Sequence, residues 1–188
     1  MTKALIAPPM AEPLTLAEIR AHLRIDHNDD DAMLESLAAV ARNHLETGLS
    51  LCLLTQGWRL YLDSWPEHGV VELPLHPVLG VTDIRIYDGA GNPQAGLVAH
   101  ELDRASRPAR LFIANPLAPG QAMNGIEIDF SAGFGDSGAD VPDSLKRAML
   151  THVALMHALS GAVAQDQQPA AIPDGWERLV APFRLMRL

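Results

Sequence analysis

The sequence predicts an α+β fold: a helical bundle of two N-terminal helices plus a long C-terminal helix, with an inserted antiparallel β region and an extended C-terminal tail. Three observations lead there. Apolar residues recur at helical spacing over residues 15–47 and again over 142–160. Between them, over residues 51–135, the apolar period falls to two and Gly and Pro punctuate the chain. The junction is sharpest over residues 124–159. There Ile126, Ile128 and Phe130 alternate with Glu127, Asp129 and Ser131, a glycine-rich turn follows, and Pro142 with Asp143 opens a long helix.

Residues 1–13, MTKALIAPPMAEP, read as a mobile N-terminal arm. A helix over 15–25 opens with a capping box, in which Thr15 caps and Glu18 reaches back, and Leu14 and Ile19 hold the two positions of a hydrophobic staple. An acidic run, 26–31, leads into a helix over 29–47 with Gly48 as the expected residue just past its end. Met33, Leu37, Val40, Ala41 and His44 share one face of it, opposite Glu35 and Arg42.

In the β region Trp58, Leu60 and Leu62 alternate with Arg59, Tyr61 and Asp63. Residues 70–73, 81–87, 97–102 and 110–113 are further strand candidates, and DGAGNP at 88–93 is a strong turn signal, giving roughly five to seven antiparallel strands. The helix over 142–160 carries Leu145, Ala148, Met149, Val153, Met156 and Leu159, with Leu150 and Leu155 on its flanks. That surface is wider than one neighbour requires, so Met149, His152 and Met156 are candidates for a subunit interface. Residues 14–160 read as a single domain, followed over 161–188 by an Ala/Gln/Pro-rich linker and a tail.

Composition narrows the function classes. A formal charge of −9, from 23 Asp+Glu against 14 Lys+Arg, argues against tight nucleic-acid binding, though DNA could slide past such a surface. No apolar run approaches the roughly 20 residues of a membrane helix, and the N-terminus lacks a signal-peptide core. Cys52 is the only cysteine, which excludes a disulfide framework and suits a reducing compartment.

The motifs that could carry chemistry each fail on context. GFGDSG, residues 133–138, matches a dinucleotide fingerprint, but Asp136 and Asp140 would repel phosphates and no βαβ alternation surrounds it. The same stretch contains the GDSG of serine proteases, yet the match stops after four residues. Read as a calcium loop from Asp26, the acidic run places Asp31 where Gly is needed and Leu37 where Glu is needed. Of eight histidines, His22/His27 and His152/His157 stand five apart rather than four, so neither pair makes a helix-borne zinc site. No catalytic, cofactor-binding or metal residue is assigned, and no enzyme activity is expected. The tail, by contrast, offers Trp176, Arg178, Phe183, Arg184, Arg187 and Leu188 on a tethered segment, the residue types of an interface anchor.

The order and spacing of several segments resemble the head–tail connector (adaptor) proteins of tailed bacteriophages and gene transfer agents. They are LTLAEIRAHLR at 14–24 with its acidic run, ARNHLET at 41–47, LTQGWRL at 54–60 and LPLHPV at 73–78. GIEIDFSAG at 125–133, Val141-Pro142 and PFRLMRL at 182–188 complete the set. The resemblance implies a non-enzymatic structural protein of a virion or phage-like particle, assembled in the bacterial cytoplasm. It implies a ring of roughly twelve copies beneath the portal protein, extending the DNA channel and docking a tail-completion (stopper) protein. DNA would pass without specific binding, and the tail residues named above would anchor to the portal. The rival readings are a small ligand- or carbohydrate-binding β module and, more remotely, a hydrolase. A sugar module should cluster aromatics, and aromatics are 5% of this chain.

Overall fold

The computed structural model describes residues 1–94, 99–159 and 172–184. In chain order these form β1 (Thr2–Ala7), α1 (Leu16–Leu23), α2 (Asp31–Leu49), β2 (Gln56–Leu62), β3 (Val70–Leu73), β4 (Val78–Ile86), β5 (His100–Asp103), β6 (Ala109–Ile113), β7 (Ile126–Ala132), α3 (Asp143–Leu159) and α4 (Trp176–Val180). A 3-10 turn at Ala181–Phe183 follows. The fold is α+β. It is not one domain over 14–160, however: Met1–Pro9 with Ser50–Gly133 make one compact unit, and Met10–Leu49 with Phe134–Leu188 make another.

The β unit contains two antiparallel sheets, ordered β1-β2-β7-β4 and β3-β6-β5. Alternation on β2 and β7 sends Leu60, Leu62, Ile126, Ile128 and Phe130 to one face. They share a single core with Val71, Leu73, Leu111 and Ile113 of the second sheet. The expected N-terminal arm is in fact an edge strand. Residues 2–7 show no clean alternation, because β1 is held by backbone pairing to β2 rather than by burying a face. The chain leaves the sheet at Gly133, where φ is +148° and a Cβ would lie 2.5 Å from the Leu54 backbone. Only glycine fits that approach.

The helical unit buries Leu34, Ala38, Ala41, Leu45 and Leu49 of α2 against Leu145, Ala148, Met149, Val153 and Met156 of α3. The buried stripe of α2 therefore lies one residue round from the expected face, leaving Val40 43% exposed. The capping box at Thr15 forms as expected, with Glu18 N–H donating to the Thr15 hydroxyl at 3.2 Å and Thr15 N–H to the Glu18 carboxylate at 2.8 Å. Leu14 and Ile19 are both buried beside it. Gly48 does not end α2; the helix runs on to Leu49, and Ser50 takes the left-handed conformation at φ +54°. Pro142 sits one place earlier than expected, its carbonyl accepting from Lys146 at 3.2 Å just ahead of α3. Asp31, the last residue of the acidic run, opens α2 and receives both arms of the Arg20 guanidinium.

Candidate assembly surfaces

The tail does not extend away from the helical unit. Trp176 is 3% exposed and meets His44 of α2 edge to face, ring centroids 5.8 Å apart. His44 in turn meets His152 of α3 at 5.2 Å. His152 is buried, its Nε2 has no hydrogen-bond partner among the described residues, and burial, then the nearby His44, holds its pKa below the ordinary histidine value. Val180, one helical turn on from Trp176, is buried too. Phe183 packs edge to face on Phe134 at 6.0 Å.

These contacts correct two expectations. Trp176 belongs to the core of its own bundle and is not a free anchor, because an indole ring gains more from the cleft between two helices than from water. Met149, His152 and Met156 are likewise buried on α3, whose broad apolar surface serves three partners within the chain, α1, α2 and α4. Among the expected tail residues, Arg178 and Arg184 are exposed, and Arg184 pairs with Glu177. Arg187, Leu188 and the linker over 160–171 lie outside the described residues, as does the start of the strand expected over 97–102.

The polar face of the larger sheet carries a charge lattice that reasoning on the sequence missed. Arg59 of β2 grips Asp129 of β7 with two bonds of 2.6 and 2.8 Å and reaches Glu127 at 3.2 Å. Arg85 of β4 joins the same two carboxylates at 3.2 Å and Asp83 at 2.7 Å, while the Tyr87 hydroxyl donates to Glu127 at 3.0 Å. Arg59 above all keeps the Asp129 carboxyl below its ordinary range. The signal was present as opposite charges at alternate positions of neighbouring strands.

The motif stretches fold as plain structure. Ser137 donates its N–H and hydroxyl to Asp140 at 3.0 and 3.1 Å, a local turn rather than a poised nucleophile. No group of three or more His, Cys, Asp or Glu side chains able to hold a metal comes together among the described residues. No helix among them is long and apolar enough to cross a membrane. A groove of about 340 Å³ on the smaller sheet is lined by Val70, Glu101, Leu102, Asp103, Arg110 and Phe112, with one aromatic ring rather than the stacking platform a sugar would need. Two neighbouring large apolar residues of β1, Leu5 and Ile6, are each 46% exposed.

Comparison with known proteins points to a structural role. The model of the Phage gp6-like head-tail connector protein family matches residues 13–77. Among solved structures the chain is similar to one in the neck of an empty gene transfer agent particle computed with C6 symmetry. Identity is 29% and the TM-score 0.82, covering 100% of this chain and 97% of that one. A chain of the virion of a native gene transfer agent particle is 28% identical with a TM-score of 0.81, at the same coverage of 100% and 97%. One in the neck of a native particle computed with C12 symmetry is 30% identical with a TM-score of 0.78, again over 100% and 97%. Among curated proteins none matches. The chain belongs to the head–tail connector family of tailed bacteriophages and gene transfer agents, and its role is that of a structural connector.

Proposed function

We propose that the protein forms a homo-oligomeric ring of about twelve copies at the head–tail junction, beneath the portal protein. There it lengthens the channel for double-stranded DNA and presents a docking surface to a tail-completion (stopper) protein. The observation that carries this reading is the end-to-end similarity to a chain in a neck computed with C12 symmetry, at 30% identity. The acidic balance of 23 Asp+Glu against 14 Lys+Arg supports a wall that does not hold the DNA it surrounds. Portal attachment falls to the outward side of the tail, Arg178 and Arg184 with Arg187 and Leu188 beyond them, while Trp176 fixes the tail's root. Arginine forks suit exposed carboxylates on a partner.

Particle reconstruction without imposed symmetry tests the ring, and should show about twelve copies between capsid vertex and tail. Capture on immobilised portal protein tests attachment. The triple variant Arg178→Ala/Arg184→Ala/Arg187→Ala should remain folded and bind at least tenfold more weakly, about 1.4 kcal/mol or more. Unchanged binding would move attachment off the tail, and absence of the chain from the neck would remove the reading altogether.

A further inference from the structure

The larger sheet ends in two different open edges, β1 and β4. Natural proteins blunt an open edge with proline, charges, bulges or a covering segment. β1, TKALIA, has no proline and one charge, and that charge, Lys3, is folded over the Trp58 ring at 5.4 Å. Five of its six residues are exposed, including Leu5 and Ile6. β4 is closed at its two ends: the Leu79 carbonyl accepts from Arg104 at 3.1 Å, and the Ile86 carbonyl accepts from Gln94 N–H at 2.7 Å. Between them residues 80–85 have no edge partner among the described residues, a window of the same length as β1.

Resting on the ring reading above, we propose that β1 of one copy pairs antiparallel with the 80–85 window of β4 in a second copy, joining the β units of neighbours into one continuous sheet. Strand direction allows it. β1 and β7 run one way and β2 and β4 the other, so a copy set beside the sheet brings its β1 antiparallel to β4. The two edges differ, so the contact is head-to-tail and propagates around a ring instead of stopping at a dimer.

Register allows it as well. Pairing Thr2 with Arg85, Lys3 with Ile84 and Ala4 with Asp83 keeps each side chain on the face it already occupies. Lys3 lies opposite Leu60 and Ile84 opposite Ile128 on the core face; Ala4 lies opposite Arg59 and Asp83 opposite Asp129 on the charged face. The irregularity between Leu5 and Ala7 then falls beside the one between Val81 and Asp83, letting Leu5 meet Val81.

The test is disulfide mapping in assembled particles, using full-length chains with Ala4→Cys, Asp83→Cys or both; Cys52 is buried, and the single variants control for it. Under mild oxidation the double variant should yield a ladder of linked chains longer than a dimer, and each single variant none. A dimer from Ala4→Cys alone would mean β1 pairs with β1 and overturns the proposal. So would the absence of any ladder from particles whose reconstruction shows the ring in place. A reconstruction with no ring would instead remove the reading beneath it. Independently, Leu5→Lys/Ile6→Lys should keep the wild-type circular dichroism spectrum and melting curve while incorporation into particles drops at least tenfold; normal incorporation overturns the pairing.

Discussion

His44 and His152 face each other edge to face across α2 and α3, ring centroids 5.2 Å apart, and neither ring is matched by a carboxylate contact among the described residues. Trp176 meets His44 edge to face as well, at 5.8 Å. The tail is thereby pinned to the bundle through two imidazoles, of which the buried His152 is held in its neutral form by burial.

Trp176→Ala should cost about 3 kcal/mol of stability, the range for deleting a large buried aromatic, read from urea unfolding. Removing residues 174–188 should cost at least as much. A truncated chain as stable as the full one would show that the docked tail contributes nothing to the bundle.

His152 makes stability pH-dependent. The unfolded chain titrates this group near its ordinary value of about 6.5, and the fold lowers it. As pH falls, protons therefore bind the unfolded chain first. Its contribution is complete above about pH 6.5 and is lost progressively below that, down to the folded-state value. His152→Leu should flatten the fall in urea midpoint over that window and, by removing an unpartnered buried nitrogen, leave stability at neutral pH unchanged or higher. An identical pH profile in the variant would assign the acid sensitivity to other groups.

Arg59→Ala should cost about 2 kcal/mol, less than a fully enclosed pair because the Arg59 side chain is 22% exposed against 8% for Asp129. The Asp129 carboxyl is depressed in the fold, chiefly by Arg59, so the pair stabilises above the ordinary carboxylate pKa of about 4 and fades as pH falls through it. Thermal melts of Arg59→Ala and wild type should converge as pH falls below the ordinary carboxylate range toward the depressed folded-state value. A constant gap between them would show that packing, not charge, carries the loss.

Gly133→Ala should destabilise by roughly 3 kcal/mol, combining backbone strain with collision against Leu54. Gly48→Ala is the control. A Cβ there meets nothing, and alanine in a helix should stabilise by about 1 kcal/mol. If both variants behave alike, the geometry assigned to residue 133 is wrong.

The sequence carried the local rules well. The capping box at Thr15, the strands at 70–73 and 126–132 and the helix from Asp143 follow from spacing and turn chemistry that neighbours do not alter. What it concealed was set by distant partners. β1 is a strand only because β2 offers an edge some fifty residues away. Trp176 is a core residue only because α2 and α3 leave a cleft lined by His44, and a tethered aromatic beside arginines looks the same on paper whether it docks at home or abroad. The lattice around Asp129 needed the register of three strands, which charge alternation suggests but does not fix.

Both compact units are assembled from two separated stretches of chain, and β1 belongs to the earlier stretch of its unit. During vectorial synthesis that strand emerges before any partner exists. It must wait for β2, and β2 in turn for β7, so the larger sheet cannot close until residue 132 has left the ribosome. The bundle is later still, since α3 and Trp176, which pack against α2, both follow residue 132 in the chain. Neither unit can be finished by a nascent fragment, and a prematurely terminated chain would expose KALIA together with the bare face of α2. Such a product combines an unpaired strand edge with uncovered apolar helix surface, the two features that make incomplete chains prone to aggregate.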